Sequence, residues 1–567
     1  MMSEPLSHVG NIACMAAVPF VLPFLFQSAV YAAPVLPSAV DPGQELENTR
    51  ERLEQQRIMQ EMEEHRTPSG GVESEQPKEE KTVPAVRFVL KDVRVDASEL
   101  LPENTAKAAY EDYIGKEVSV DDLYSIVSKL NEWYSKNSYI TCRAYLPPQT
   151  IHKGFVHIAI IEGRNGSVTI DGSKNTRESY ILNRLDIAAG KIERVSDLNR
   201  KLEWFNGTND VKLSVLLQAG AETGTTDYVI RASEPRRDTW TLYTDRAGNK
   251  TTGLWRRGLF YTNRSLTGLR DALSLSYINA KGLDSVSFGY DYPIDKKGAR
   301  MSIGYSANST EVVDGLYKEW DIPVKGHASS YGLTFTKPFR VDHKGKTEAS
   351  LAIMRTHSCT DMIGLPIIDD QFNDITAGVY RTDYGSGWAL YRKLSFTYGK
   401  WDSDSKYQFR ESKNYKLLGA NTIYQRASIH RQVLTLRMSA QQSFTDDLRP
   451  SRQYYIGGVT SVRGYPENEI GADSGVGISA EYSAPAFKNA ALYGFVDGGR
   501  LWGERSFTED TLIGIGFGIR ANVLGRYTFD IAAGFPLRRD IGTAGDERVG
   551  SEHIGHCRVH VSFMADF

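Results

Sequence analysis

The sequence predicts a sixteen-stranded antiparallel transmembrane β-barrel, preceded by two α+β domains and an N-terminal helix. Three observations predict it. The chain opens on an export signal. Residues 86–235 carry a tandem repeat of strand, helix, helix, strand, strand. From Thr239 to Phe567, about sixteen segments of roughly ten residues alternate apolar and polar side chains between Gly, Asp, Asn and Lys clusters.

Length and composition set the bounds. A chain of 567 residues exceeds one ordinary domain. Mean hydropathy is −0.38, polar on average. A membrane barrel averages out the same way, because only every second strand residue faces lipid. Net charge is −3, which gives no argument for a nucleic-acid partner, and none is expected.

Ile12 to Val30 is nearly all apolar and runs into small residues at Ala29–Ala33, so residues 1–33 read as a signal peptide. Its start lacks Lys or Arg, and a membrane anchor is the other reading of the segment. No later stretch supplies ~18 consecutive apolar residues. Cys142, Cys359 and Cys557 follow the signal, which is no disulfide framework, although a Cys359–Cys557 bridge is compatible with the topology.

Residues 41–66 are rich in Glu, Gln, Arg and Met, with Asp41 as cap and Pro42 in the first turn, and predict a helix polar nearly all round. At ~1.5 Å per residue it is about 36 Å long. Residues 67–84 are Pro-, Gly-, Ser- and charge-rich and read as a flexible linker. The two copies of the repeat span 86–163 and 165–235. In the first, "VRFVLKDVRV" reads as one strand, and Ser119 or Asp121 caps a helix carrying Leu123, Ile126, Val127 and Leu130 at helical spacing. The barrel spans 239–567.

In the strand "ALYGFVDGGR", Tyr493, Phe495, Asp497 and Gly499 share one face. A charge is penalised in lipid, so Asp497, and Phe495 with it, must face the lumen. Between the eleventh and twelfth segments lies a long outward loop, Gln441 to Gly475. A loop this long can fold back into the lumen and carry its Arg463 there. An Arg fork on a carboxylate is directional and strong when desolvated, and Gly464 allows a tight turn against the wall.

"IGGVTSVRGY" with "FVDGG" resembles the signature of the two-partner secretion transporters (the TpsB family), shared with the wider superfamily of outer-membrane barrel insertases. The resemblance implies a loop tip of Val462, Arg463, Gly464 and Tyr465 that meets a wall partner of Phe495, Asp497 and Gly499. It also implies that the two repeats are periplasmic POTRA domains that bind unfolded clients at a sheet edge, and that residues 41–66 are a plug helix. "AYLPPQTIHKGFVHIAIIEG" resembles the end of the family's first POTRA domain, and "YTDRAGNKTTG" its opening barrel hairpin. The terminal strand alternates Val559, Val561, Phe563, Ala565 and Phe567 on one face, and Phe567 is expected to be the assembly signal.

The expected function is export of one large unfolded exoprotein, haemolysin- or adhesin-like and bearing an N-terminal secretion domain, with activation left open. Outer-membrane lipid and the barrel-assembly machinery are the other expected partners, and the POTRA domains are expected in the periplasm. A barrel-assembly factor of the same superfamily is the alternative, followed by a passive porin. No nucleotide, nucleophile or zinc motif is present, and "HIGHC" does not converge in an extended region, so no catalytic residue, cofactor or metal is expected.

Overall fold

A strand with one apolar and one polar face is stable across a bilayer only when every backbone group is paired, which requires closure. The computed structural model describes residues 41–64, 72–74, 87–403, 411–505, 510–539 and 554–567. The signal lies outside them, as does the linker except Val72–Ser74. Among the described residues, sixteen antiparallel strands from Asp238–Asp245 to Arg558–Asp566 close a barrel, with a short strand, Tyr454–Ile456, inside the long loop. Closure pairs Thr241 with Asp566 and Asp245 with Ser562. Phe567 and Trp240 exchange backbone hydrogen bonds of 2.8 and 3.2 Å. Outward residues are apolar and exposed, among them Leu275, Ile303, Leu333, Ile353, Val379, Phe396, Tyr482 and Ile531, whereas inward positions such as Ser274, Ser302, Ser330, Thr356 and Thr397 are small, polar and buried. That inversion matches lipid outside and a polar lumen inside.

The expected ten-residue strands are too short in the middle of the barrel. The sixth to tenth strands are Val324–Asp342, Gly345–Met362, Leu365–Gly385, Trp388–Ser403 and Glu411–Ala427, of 16 to 21 residues. Their apolar belt lies toward the periplasmic ends, so the excess projects outward as an extended hairpin wall. The sequence shows no break there because the outer halves keep their β alternation with polar side chains on both faces.

The helix α1, Pro42–Glu64, runs beside the fifth, sixth, seventh and ninth strands within the barrel. Asp41 caps it, accepting from the Gly43 N–H at 2.8 Å. Arg52 pairs with Asp245 at 2.9 Å, and the Lys393 ammonium with Glu54. The thin apolar stripe is used: Ile58 and Met62 pack on Ala389, Tyr391 and Ile423. A helix polar all round is thus matched to a polar wall. No described helix is long and apolar enough to cross a membrane.

The repeat region forms a second unit. In its first copy the expected strand at 86–95 is two: Arg87–Val89 pairs antiparallel with Glu117–Ser119, and Asp92–Val95 pairs parallel with Phe155–Glu162. The break falls at Leu90 and Lys91, whose N–H groups bond Lys116 and Gly154 carbonyls, on different neighbours. Ser119, not Asp121, caps the helix Val120–Lys136, in a capping box with Asp122. Leu123, Ile126, Val127, Leu130 and Tyr134 pack with Leu90, Val93, Val156 and Ile158. Gln149 of "LPPQ" clamps the last strand by bonds to the His157 carbonyl (2.7 Å) and N–H (2.8 Å). Glu162 accepts from Ser98, the Glu99 and Leu100 N–H groups and Tyr134. Burial acts to raise its carboxyl, and these donors outweigh burial and hold it below the usual range.

The second copy has the strand Arg164–Asp171, helices Glu178–Leu185 and Val195–Thr208, and strands Lys212–Ala219 and Thr225–Ser233. Its sheet carries a fourth strand from the segment expected to be linker. Val72–Ser74 adds in parallel to Lys212–Ala219, Val72 opposite Val215. The cysteines do not bridge: Cys142, Cys359 and Cys557 are free.

Candidate functional site: a loop tip held on the barrel wall

The loop between the eleventh and twelfth strands runs from Phe444 to Glu469, shorter at both ends than the sequence suggests, because Val433–Ser443 and Ile470–Phe487 extend as strands. Its tip is inside the barrel. Arg463 donates to Asp497 through Nε (2.7 Å) and an η nitrogen (3.0 Å), a fork on one carboxylate, and its backbone N–H bonds the same group at 3.1 Å. Its other η nitrogen reaches Glu481 at 2.7 Å. The guanidinium carbon sits 3.5 Å from the centre of the Phe495 ring, a cation–π contact. Asp497 is fully buried and Arg463 is 6% exposed.

The flanking residues serve the same placement. Val462 is buried with Ile456, Ile470, Leu501 and Leu512. Tyr465 donates to the Ile513 carbonyl at 3.0 Å. Gly464 has φ +103°, which a side chain would strain, and lies against the fifteenth strand, Tyr527–Pro536. On Gly534 an added Cβ would stand 2.5 Å from the Gly464 nitrogen. Gly499 leaves room for Ile456, which a Cβ there would meet at 2.8 Å.

Sequence reasoning missed much of this site. Glu481, Arg520 and Asp530 continue it: Arg520 bonds Glu481 at 3.2 Å and Asp530 at 2.6 Å, and Tyr493 donates to Asp530. The argument that places Asp497 in the lumen would have placed these too, since each charge lies inside an apolar strand. A second attachment lies nearer the loop base. Arg452 pairs with Asp374 at 2.6 Å and donates to Tyr415 at 2.8 Å, and Arg449 pairs with Asp370 at 3.0 Å. No spacing rule links positions this far apart.

Between α1, the loop and the wall a cavity of about 270 Å³ remains, lined by Arg52, Tyr243, Arg463, Glu481, Arg520 and His560.

Residues 224–521 match the model of the haemolysin secretion/activation protein family ShlB/FhaC/HecB, and residues 88–163 match the ShlB-type POTRA domain. The heme/hemopexin transporter protein HuxB of Haemophilus influenzae (strain 86-028NP) is 24% identical over 537 residues, covering 87% of this chain and 91% of HuxB. The outer membrane transporter CdiB of Dickeya dadantii is 21% identical, covering 79% and 83%. Among solved structures, CdiB from Escherichia coli aligns with TM-score 0.64 and 18% identity over 93% of this chain and 99% of that one. BamA from Haemophilus ducreyi, lacking POTRA domains 1–3, aligns with TM-score 0.51 and 13% identity over 85% of this chain and all of that one, a likeness of fold alone. With more than half its length matched, this chain belongs to the haemolysin secretion/activation family of outer-membrane β-barrel transporters.

Proposed function

We propose that this chain captures one large unfolded exoprotein, haemolysin- or adhesin-like with an N-terminal secretion domain, and passes it through the barrel to the cell surface. The observation that carries this reading is the double closure of the lumen: α1 fills it, and the Arg463 tip is held on Asp497 and Glu481. Polar contacts hold much of both elements, Arg52 on Asp245 and Lys393 on Glu54 for α1 and Arg463 on Asp497 and Glu481 for the tip, and water can take over such contacts when the elements leave. A passive porin has no use for either. Family membership favours transport over the barrel-assembly alternative.

The second POTRA copy supplies the capture step. Strand addition at a sheet edge is a general mode of binding extended peptide. The edge strand Lys212–Ala219 already holds Val72–Ser74, eight residues beyond the end of α1. A client that takes this edge displaces that segment. Catalysis has no part in this mechanism; the client's folding outside supplies the drive.

The test is co-expression with a candidate exoprotein that carries an N-terminal secretion domain. Arg463→Ala and Asp497→Ala each reduce the secreted fraction while the barrel stays folded. Normal secretion from both would remove the role assigned to them. Replacing Val72–Ser74 with Gly-Pro-Gly raises affinity for the secretion domain; unchanged affinity would show that this edge is not the capture site.

A further inference from the structure

We propose that His327, Cys359 and Asp361 form a cell-surface site for a divalent cation of the zinc class. The three side chains come from the adjacent sixth and seventh strands, where His327 stands directly opposite Cys359 in register. Asp361 is two residues beyond Cys359, on the same face of its strand. One ligand atom from each lies within 4.8 Å of the others. The Cys359 Sγ and an Asp361 oxygen are 3.8 Å apart.

The position is outside the membrane. All three share the parity of the outward residues Tyr331, Leu333, Leu351 and Ile353, which form the apolar belt. Cys359 lies six residues beyond Ile353, about 20 Å along the strand. There the outer face is polar: the His357 ring bonds Asp369 at 2.7 Å, next to the cluster. His327 is exposed and Cys359 nearly covered, so an ion would enter past the imidazole.

Donor chemistry selects the metal class. Thiolate with imidazole suits zinc, cobalt(II) or nickel and disfavours the hard cations calcium and magnesium. Zinc bonds of about 2.0–2.3 Å in a tetrahedron place ligand atoms about 3.3–3.8 Å apart. The cluster reaches that by small side-chain rotations. Three protein ligands leave the fourth position to water. Binding releases the thiol proton and staples the two strands where they stand clear of lipid. The residues lie 32 and 34 positions apart, so no short motif announces them.

The test uses the full chain in detergent, in a Cys557→Ser background that removes the exposed thiol. Titration with Co²⁺ alone is expected to bind one equivalent, with a sulfur-to-cobalt absorption band in the near ultraviolet that Zn²⁺ abolishes by displacement. Cys359→Ser removes the band. His327→Gln, at an exposed position that tolerates the change, weakens Co²⁺ binding at least tenfold. Heat-modifiable gel migration reports that each variant is folded. Absence of the band with Cys359 intact, its survival in Cys359→Ser, or full affinity in folded His327→Gln would each overturn the site.

Discussion

The Ser451 hydroxyl donates to Oδ2 of Asp41 at 2.5 Å, so the long loop holds the residue that caps α1. Asp41 uses its other oxygen for the Gly43 N–H. One carboxylate therefore joins the two elements that close the lumen, and loosening either should loosen both.

Asp41→Ala removes the cap and the bridge together. Loss of such a cap costs about 1 kcal/mol, equal to about a fivefold shift toward the released helix. Ion conductance of the purified protein in planar bilayers should rise by about that factor. Ser451→Ala, which spares the cap, should give a smaller rise. Equal, unchanged conductance in both would disconnect loop from helix.

Arg463→Lys tests the fork. An ammonium cannot take both Asp497 oxygens and Glu481 in the planar arrangement seen here. Leaving Asp497 buried without its partner costs about 3–5 kcal/mol. Secretion by Arg463→Lys should fall close to that of Arg463→Ala. Wild-type secretion from the lysine variant would show that charge alone suffices.

Gly534→Ala leaves Arg463 and Asp497 untouched but places a methyl 2.5 Å from the Gly464 nitrogen and 2.9 Å from its Cα. Backbone on both sides cannot yield, so the tip should leave its seat and become accessible to added protease. Gly494→Ala is the control: its nearest neighbour would be 3.8 Å away, and protease resistance should match wild type.

In the first POTRA domain, Glu162 is held below its ordinary value of 4.5. A carboxylate with a lowered folded pKa stabilises fully above the unfolded value, and the contribution fades as pH falls through the lowered one. Thermal unfolding of this domain should be level from pH 7 to about pH 5 and fall below about pH 4, more steeply than in Glu162→Gln. Identical acid profiles would remove Glu162 from the account.

Parity made the barrel legible. Period-two alternation, long outward gaps and one misplaced acid led to Asp497 and the loop that meets it. The same logic was not carried to Glu481, Arg520 and Asp530, although each sits among outward neighbours such as Tyr482, Ile519 and Ile531. Other features lay beyond pattern. The split at Leu90 and Lys91 depends on which neighbour each N–H reaches, and "VRFVLKDVRV" alternates straight through it. Val72–Ser74 is a strand only because Lys212–Ala219 offers an edge. Arg452 finds Asp374 78 positions away across a fold that no local rule encodes.

The central claim is that the exoprotein crosses through the space α1 now fills. Ile423 faces that space and packs on Ile58 and Met62. A photo-crosslinking residue at position 423 should capture α1 in cells without the exoprotein, and the exoprotein itself, with loss of the α1 product, during secretion. Continued secretion with only the α1 crosslink would contradict passage through the lumen.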